Sequence, residues 1–255
     1  QINKSINFLK YAFHPDGSFG GMYGSRNTRF LYPSSFEILT KKNILASKMS
    51  SFVRNGIIHQ NFVTLDSIND ENLVPMFNDY AIAAMEFERN KKLKPKVVKL
   101  PFEENNLNIY LKNLGWFIRS NKREYTVINY SSGGSFIHFR NKIKYENPGI
   151  IFKMKDKIMI STPNKIINPI NFDSKELITD YNMSILKKPR PTASTTIILR
   201  FVSLLFLKNL TLNKIVKKFL SNYLLNSNKS TKIKARRIFK IGKSFSYLDF
   251  LPNET

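Results

Sequence analysis

Apolar residues recur at two different periods along this chain, and the change between them divides it. Near the N-terminus Ile2, Ile6, Leu9 and Phe13 fall three to four apart, one stripe of an amphipathic helix over residues 2–13 that Pro15 stops. A helical period returns from Ser34 to about His59 through Phe36, Leu39, Ile44, Met49, Phe52 and Val53, with Pro33 suited to a first turn, and it reads as two short helices. Another helix is predicted from Pro75 to about Lys91 on Met76, Tyr80, Ala83, Ala84 and Phe87. Two prolines and five lysines between Lys91 and Pro101 mark a linker.

Beyond it the period becomes extended. Trp116-Phe117-Ile118, Tyr125 to Tyr130, Phe136 to Phe139, Ile150-Ile151-Phe152 and Ile158-Met159-Ile160 are short aromatic and β-branched runs. Gly133-Gly134 reads as a tight hairpin, with turns at Asn147-Pro148-Gly149 and Lys155-Asp156-Lys157. This predicts an antiparallel sheet. A helical pattern from Pro189, strongest over Leu212 to Leu224, interrupts the strands, which resume at Arg236 to Ile241 and Phe245 to Leu248. The expected fold class is therefore α+β: a helical domain over 1–92, a linker over 93–106, and a β-domain over 107–255 with a helical pair inserted at about 190–226.

At 255 residues and 42% hydrophobic content the chain can bury a real core. It begins with Gln1, and its first helical segment has no lead-in, so a longer protein is expected, with any targeting region upstream. The apolar run Ile197 to Leu210 is broken by Arg200 and Lys208 and is shorter than a membrane span requires. With no cysteine there is neither a disulfide nor a thiolate metal site. The net charge of +23 invites an anionic partner, yet 30 Lys against 11 Arg, with 28 Asn and 28 Ile against 7 Ala, is also what an AT-rich genome imposes. Residues 181–255 hold 15 basic against 2 acidic residues, which fits either a solvated surface or an anion-binding one.

Candidate chemistry concentrates in the glycine-rich loop of residues 14–28, where Asp16, Phe19, Tyr23, Arg26 and Asn27 stand among four glycines, followed by Arg29 and Tyr32. Bidentate polar groups, arginine and aromatic faces suit a sugar chain. A structural alternative has Asp16-Gly17 forming a turn, Gly20-Gly21 passing close to a helix and Arg26 pairing with Asp16. No Gly-Lys-Ser/Thr ends the loop and no strand–helix unit follows it, so neither a phosphate-binding loop nor a dinucleotide cofactor is expected. The three histidines lie far apart with no carboxylate cluster, so no metal is expected. His138 reads as a packing or surface histidine or a ligand contact, His14 as a helix-end cap or a base, and His59 as helix surface. Trp116 is expected to pack in the sheet, and Glu103-Glu104 to be solvated in the linker.

The stretch from Phe8 to Leu39, carrying His14-Pro15-Asp16-Gly17-Ser18-Phe19-Gly20-Gly21 and Gly24-Ser25-Arg26-Asn27-Thr28, resembles the closing turn of an α/α-toroid. That helical barrel is shared by heparinase II/III-like polysaccharide lyases and, more distantly, by terpenoid-cyclase-like proteins. Tyr125 to Asn129, Ser132 to Phe136, Asn147-Pro148-Gly149, Leu199-Arg200-Phe201 and Arg236-Arg237-Ile238 resemble the C-terminal β-sandwich of heparinase II/III-like proteins. The resemblance implies the end of a toroid followed by an antiparallel β-sandwich, a bacterial envelope or periplasmic setting, and cleavage of an anionic, uronate-containing polysaccharide by β-elimination. Such chemistry needs a group that neutralises the uronate carboxylate, a Tyr or His that removes the C5 proton and a Tyr that protonates the leaving oxygen. Asn27 or Arg26 would neutralise, Tyr23 or Tyr32 would transfer protons, and His14 or His138 would be the base, with Asp16, Phe19 and Arg29 contacting substrate. A non-catalytic glycan-binding or surface-polysaccharide assembly factor and a basic nucleic-acid binder are the other readings, the last without a recognisable binding module.

Overall fold

The computed structural model describes residues 1–24, 27–91, 98–141, 143–162, 171–173, 175–186, 229–242 and 244–252, with isolated positions at 194, 197, 200, 201 and 214. Four helices come first: α1 (Ile2–Leu9), α2 (Ser34–Leu39), α3 (Ile44–Ile58) and α4 (Asp70–Asn90). α1 tightens into a 3-10 turn over Lys10–Ala12, and Phe13 is already extended. The residue before a proline is pushed out of the helical region, so His14 cannot prolong it. α2 and α3 divide where the pattern predicts two helices. Asn43 caps α3, its side-chain oxygen accepting the Ala46 N–H at 3.0 Å.

α4 starts five residues earlier than its apolar pattern indicates, with Pro75 inside it. The Asn72 N–H bonds the Asn69 carbonyl at 3.0 Å to close the first turn, and Asp70 suits the positive end of the helix dipole. Pro75, the sixth residue of the helix, forfeits the bond its N–H would make to the Glu71 carbonyl, and the helix continues through it. Pro33 stands at the position before Ser34, one place ahead of the first turn. The expected linker is only partly described, and its far end is anchored. Glu103, in a 3-10 turn over Pro101–Glu103, accepts the Leu100 N–H at 2.7 Å and pairs with Lys48 at 2.7 Å. It is thus a tie between layers and not a solvated linker residue.

The strands form two antiparallel sheets. The first is a meander of β1 (Asn106–Leu111), β2 (Trp116–Asn121), β3 (Glu124–Asn129), β4 (Ser135–Arg140) and β5 (Ile143–Asn147). The second contains β6 (Ile151–Met154), β7 (Lys157–Ser161), β8 (Asn171–Asp173), β9 (Glu176–Ile185), β10 (Lys229–Lys240) and β11 (Ser246–Phe250), in the order β11-β10-β9-β7-β6 with β8 beside β9. Gly133 and Gly134 close a five-residue connection from Tyr130, longer than the tight hairpin expected, because Asn129 already pairs with Ser135. Asn147-Pro148-Gly149 carries the chain from the first sheet to the second. The helical pair expected at about 190–226 and the apolar run Ile197 to Leu210 lie outside the described residues apart from the isolated positions. Among the described residues no helix is long and apolar enough to cross a membrane.

The first sheet is covered on both faces. One side meets the helical layer through Trp116, Ile118, Tyr125, Val127, Ile137 and Phe139, against Phe8, Tyr11, Tyr23 and Phe102. Through Phe117, Ile128, Tyr130 and Phe136 the other side packs on Leu177, Phe239 and Ile241 of the second sheet. Every residue of β3 is buried, which explains an apolar run without clean alternation. Ile118, Val127, Ile128 and Ile137 are wholly buried, each contributing roughly 1.5–3 kcal/mol.

Candidate functional site

The glycine-rich loop is packed between α1 and the first sheet, and its polar side chains bond to one another. Asp16 Oδ1 accepts from the Ser18 N–H at 3.0 Å and from the Ser18 hydroxyl at 2.6 Å. That hydroxyl lies 2.9 Å from His14 Nδ1, and His14 Nε2 lies 2.9 Å from the Tyr23 hydroxyl. Because Ser18 Oγ spends its proton on Asp16, it accepts from Nδ1–H, which leaves Nε2 to accept from Tyr23. His14 and Tyr23 are both fully buried, the imidazole among the Tyr23, Tyr125 and Phe139 rings. Burial, reinforced by Lys144 and Arg29, holds the His14 pKa well below its usual value. Burial, with Tyr125 and Tyr23's other acidic neighbour Glu146, pushes the Tyr23 phenol well up. A neutral imidazole bonded to a protonated phenol satisfies both shifts. His14 is therefore no helix cap; with Tyr23 it bolts the loop to the sheet.

Asn27, at a left-handed φ of 51°, accepts the Arg29 Nε–H on Oδ1 at 3.0 Å. Arg29 reaches on to Glu146 of β5 at 2.8 Å, and the other oxygen of Glu146 accepts the Met22 N–H at 2.8 Å. Phe19 is buried edge-on to Phe13, while Tyr32 is exposed beside Phe30, apart from the His14–Tyr23 pair in the contacts it makes. Arg26, and with it the expected Arg26–Asp16 pair, lies outside the described residues. His59 ends α3 at the surface, and Trp116 packs edge-on to Tyr23 at 5.0 Å, as expected for each.

His138 leads to a more open site. It belongs to a cleft of about 570 Å³ between the β4–β5 edge of the first sheet and the start of β11, lined by Phe136, His138, Arg140, Lys144, Tyr145, Glu146, Asn147, Phe245, Ser246 and Tyr247. Strand alternation puts Phe136, His138 and Arg140 on one face, and the register sets Tyr145 and Asn147 opposite His138 and Phe136. The imidazole stacks on Phe245 at 4.6 Å, with the Tyr145 ring at 6.0 Å, and Nδ1 lies 2.8 Å from the Thr126 hydroxyl. Burial lowers the His138 pKa; Glu124 opposes the shift, and Arg140 and Arg119 add to it. Lys144 also lines a smaller pocket of about 230 Å³ with Ser18, Arg29, Asn61 and Ser67.

The chain thus brings His138 together with Arg140, Tyr145, Asn147, Phe245 and Tyr247, five residues that their sequence pattern does not mark as site residues. Only the Phe136/His138/Arg140 alternation on one strand is legible in it. Among the described residues no group of three or more His, Asp or Glu stands close enough to hold a metal ion. Comparison with protein-family models, curated proteins and solved structures finds no match to this chain.

Proposed function

We propose that this chain is a heparinase II/III-like protein, the end of an α/α-toroid followed by a β-sandwich, that holds an anionic, uronate-containing polysaccharide in the cleft at β4, β5 and β11. The observation that carries the reading is the joint presence of a cation, Arg140, with three aromatic rings, Tyr145, Phe245 and Tyr247, around the His138 imidazole. The guanidinium answers a carboxylate, and the aromatic faces answer the apolar faces of sugar rings.

The same groups suit β-elimination. In the tautomer whose Nδ1–H donates to Thr126, Nε2 of His138 takes the C5 proton, the electron pair forms the C4–C5 double bond, and the C4–O bond breaks. Tyr145 protonates the departing oxygen. One observation favours a second reading, a binder without turnover: His138 is only 5% exposed, and His14 and Tyr23 are closed to solvent altogether.

Incubation with polygalacturonate and other uronate glycans tests both. Growth of ultraviolet absorbance that His138→Ala abolishes establishes elimination; retention of the glycan without absorbance establishes the binder. Arg140→Ala should weaken retention roughly tenfold, the worth of one charge-assisted contact. If the glycans are not retained while DNA or RNA binds with a steep salt dependence, both readings fall.

A further inference from the structure

We infer that Asn147 is the specificity-determining amide of this cleft, presenting its Nδ2 donors to a carboxylate, and that Arg237 is the positioning residue that orients it. The inference rests on reading the cleft as an anionic-glycan site.

Arg237 is a wholly buried cation on β10, directly behind the cleft wall. Its Nε and Nη2 donate to the two oxygens of Asp249 at 2.6 and 2.7 Å. Nη1 donates to the Gly134 carbonyl at 2.7 Å and to Asn147 Oδ1 at 3.0 Å. The guanidinium also sits 4.9 Å from the centre of the Tyr247 ring and 5.9 Å from that of Phe136. Three cleft residues, Phe136, Asn147 and Tyr247, are therefore held by one buried side chain.

The orientation of Asn147 follows from its partners. Oδ1 receives Arg237 Nη1–H and also the Gly149 N–H at 2.9 Å. Both partners are obligate donors, so the amide cannot flip, and its two Nδ2 hydrogens are what it offers to the cleft that it lines. An amide that presents only its N–H donors beside Arg140 donates to a carboxylate and gains less from its neutral ester.

Asn147→Asp separates this role from a structural one. A carboxylate is the same shape and still accepts from Arg237 and Gly149, so the fold keeps its tie, but the donors become a repelling charge. Binding of oligogalacturonate and of its methyl ester would be measured by calorimetry for the wild type, Asn147→Asp, Arg237→Lys, and Asn78→Asp, a control on exposed α4 that makes the same charge change. Asn147→Asp should lose about tenfold or more in oligogalacturonate affinity with its melting temperature kept or raised, while Asn78→Asp stays within about twofold of wild type. Arg237→Lys, which cannot serve Asp249 and Asn147 together, should lower the acid-to-ester affinity ratio in the folded protein, a quantity that mere destabilisation leaves alone. Asn147→Asp binding within about twofold of the control overturns the assignment of Asn147, and an unchanged ratio in Arg237→Lys overturns that of Arg237. Failure of the wild type to bind oligogalacturonate overturns the reading of the cleft instead.

Discussion

Replacing Tyr23 with phenylalanine removes one oxygen from the dry end of the loop and leaves the ring in its packing against Trp116 and His14. The backbone stays tied as well, because the Tyr23 carbonyl still accepts the Asn129 amide at 2.7 Å. What changes is His14 Nε2, which loses its donor at 2.9 Å in a side chain with no solvent access. A buried acceptor stripped of its partner costs about 1–3 kcal/mol, against about 1 kcal/mol for a bond whose two ends both return to water. For a chain of this size each kcal/mol lowers the melting temperature by roughly 2–4 °C, so Tyr23→Phe should melt about 2–12 °C lower at pH 7. Scanning calorimetry reads the shift directly. His14→Phe combined with Tyr23→Phe, which removes both ends of the bond, should lose less than the sum of the single changes. A single variant melting within about 1 °C of the wild type would refute the assignment of a closed Asp16–Ser18–His14–Tyr23 relay.

Two further outcomes follow from the same geometry. His14 and His138 are both buried with lowered pKa values, so the native state binds fewer protons than the unfolded chain; their stabilisation is complete above about pH 6.5 and is lost as the pH falls toward the lowered values, by at most about 1.4 kcal/mol per pH unit for each. Urea titrations at pH 7 and pH 5 should show the decline, which His14→Phe reduces; a flat profile would count against it. Gly20 has a φ of 67°, and a Cβ there would stand 2.1 Å from the Thr28 carbonyl oxygen, a backbone atom that cannot swing aside. Gly20→Ala should therefore cost more than the about 1 kcal/mol of left-handed strain alone, and a variant as stable as the wild type in urea would show that the loop path is not fixed.

Periodicity in the chain reveals the order of the layers but not their contacts. The division of α2 from α3 and the strands at Trp116, Tyr125, Phe136 and Ile158 are legible because local pattern and burial agree there. β5 and β9 are not: Lys144 and Glu146 on β5 and Thr179 and Asp180 on β9 dilute the apolar signal, and stability comes instead from pairing, of β5 with β4 in a hairpin and of β9 with β10 far along the chain. The glycine-rich loop stands out as polar and conformationally permissive, which fits a ligand-presenting loop. Its packing between two layers turns the same groups inward, since each polar atom taken from water must find a partner. His138 could be singled out on its strand, whereas Asn147, Phe245 and Tyr247 join it only through the β4–β5 register and a second sheet that begins beyond it.

That placement has a physical cause. A sheet buried on both faces, as β3 is along its whole length, offers a ligand no face at all, and its polar chemistry must lie at an edge. Of the two edges, β1 carries Asn106, Leu107, Asn108 and Ile109 with no cation among them, while β5 alternates Lys144, Tyr145, Glu146 and Asn147. At β5 the chain also turns through Pro148 into the second sheet, so the edge is faced by Phe245 and Tyr247 and becomes a walled cleft. An edge strand normally needs charge to discourage pairing with another chain. Here the lysine and glutamate of β5 turn to the loop: Glu146 ties the strand to Arg29 and Met22, and Lys144 pairs with Glu146 at 3.7 Å. Alternation thus gives the two faces of one strand separate work, charge that protects the edge on Lys144 and Glu146 and a cleft wall on Tyr145 and Asn147, and a change that neutralises Lys144 should be felt at the edge and not in the cleft.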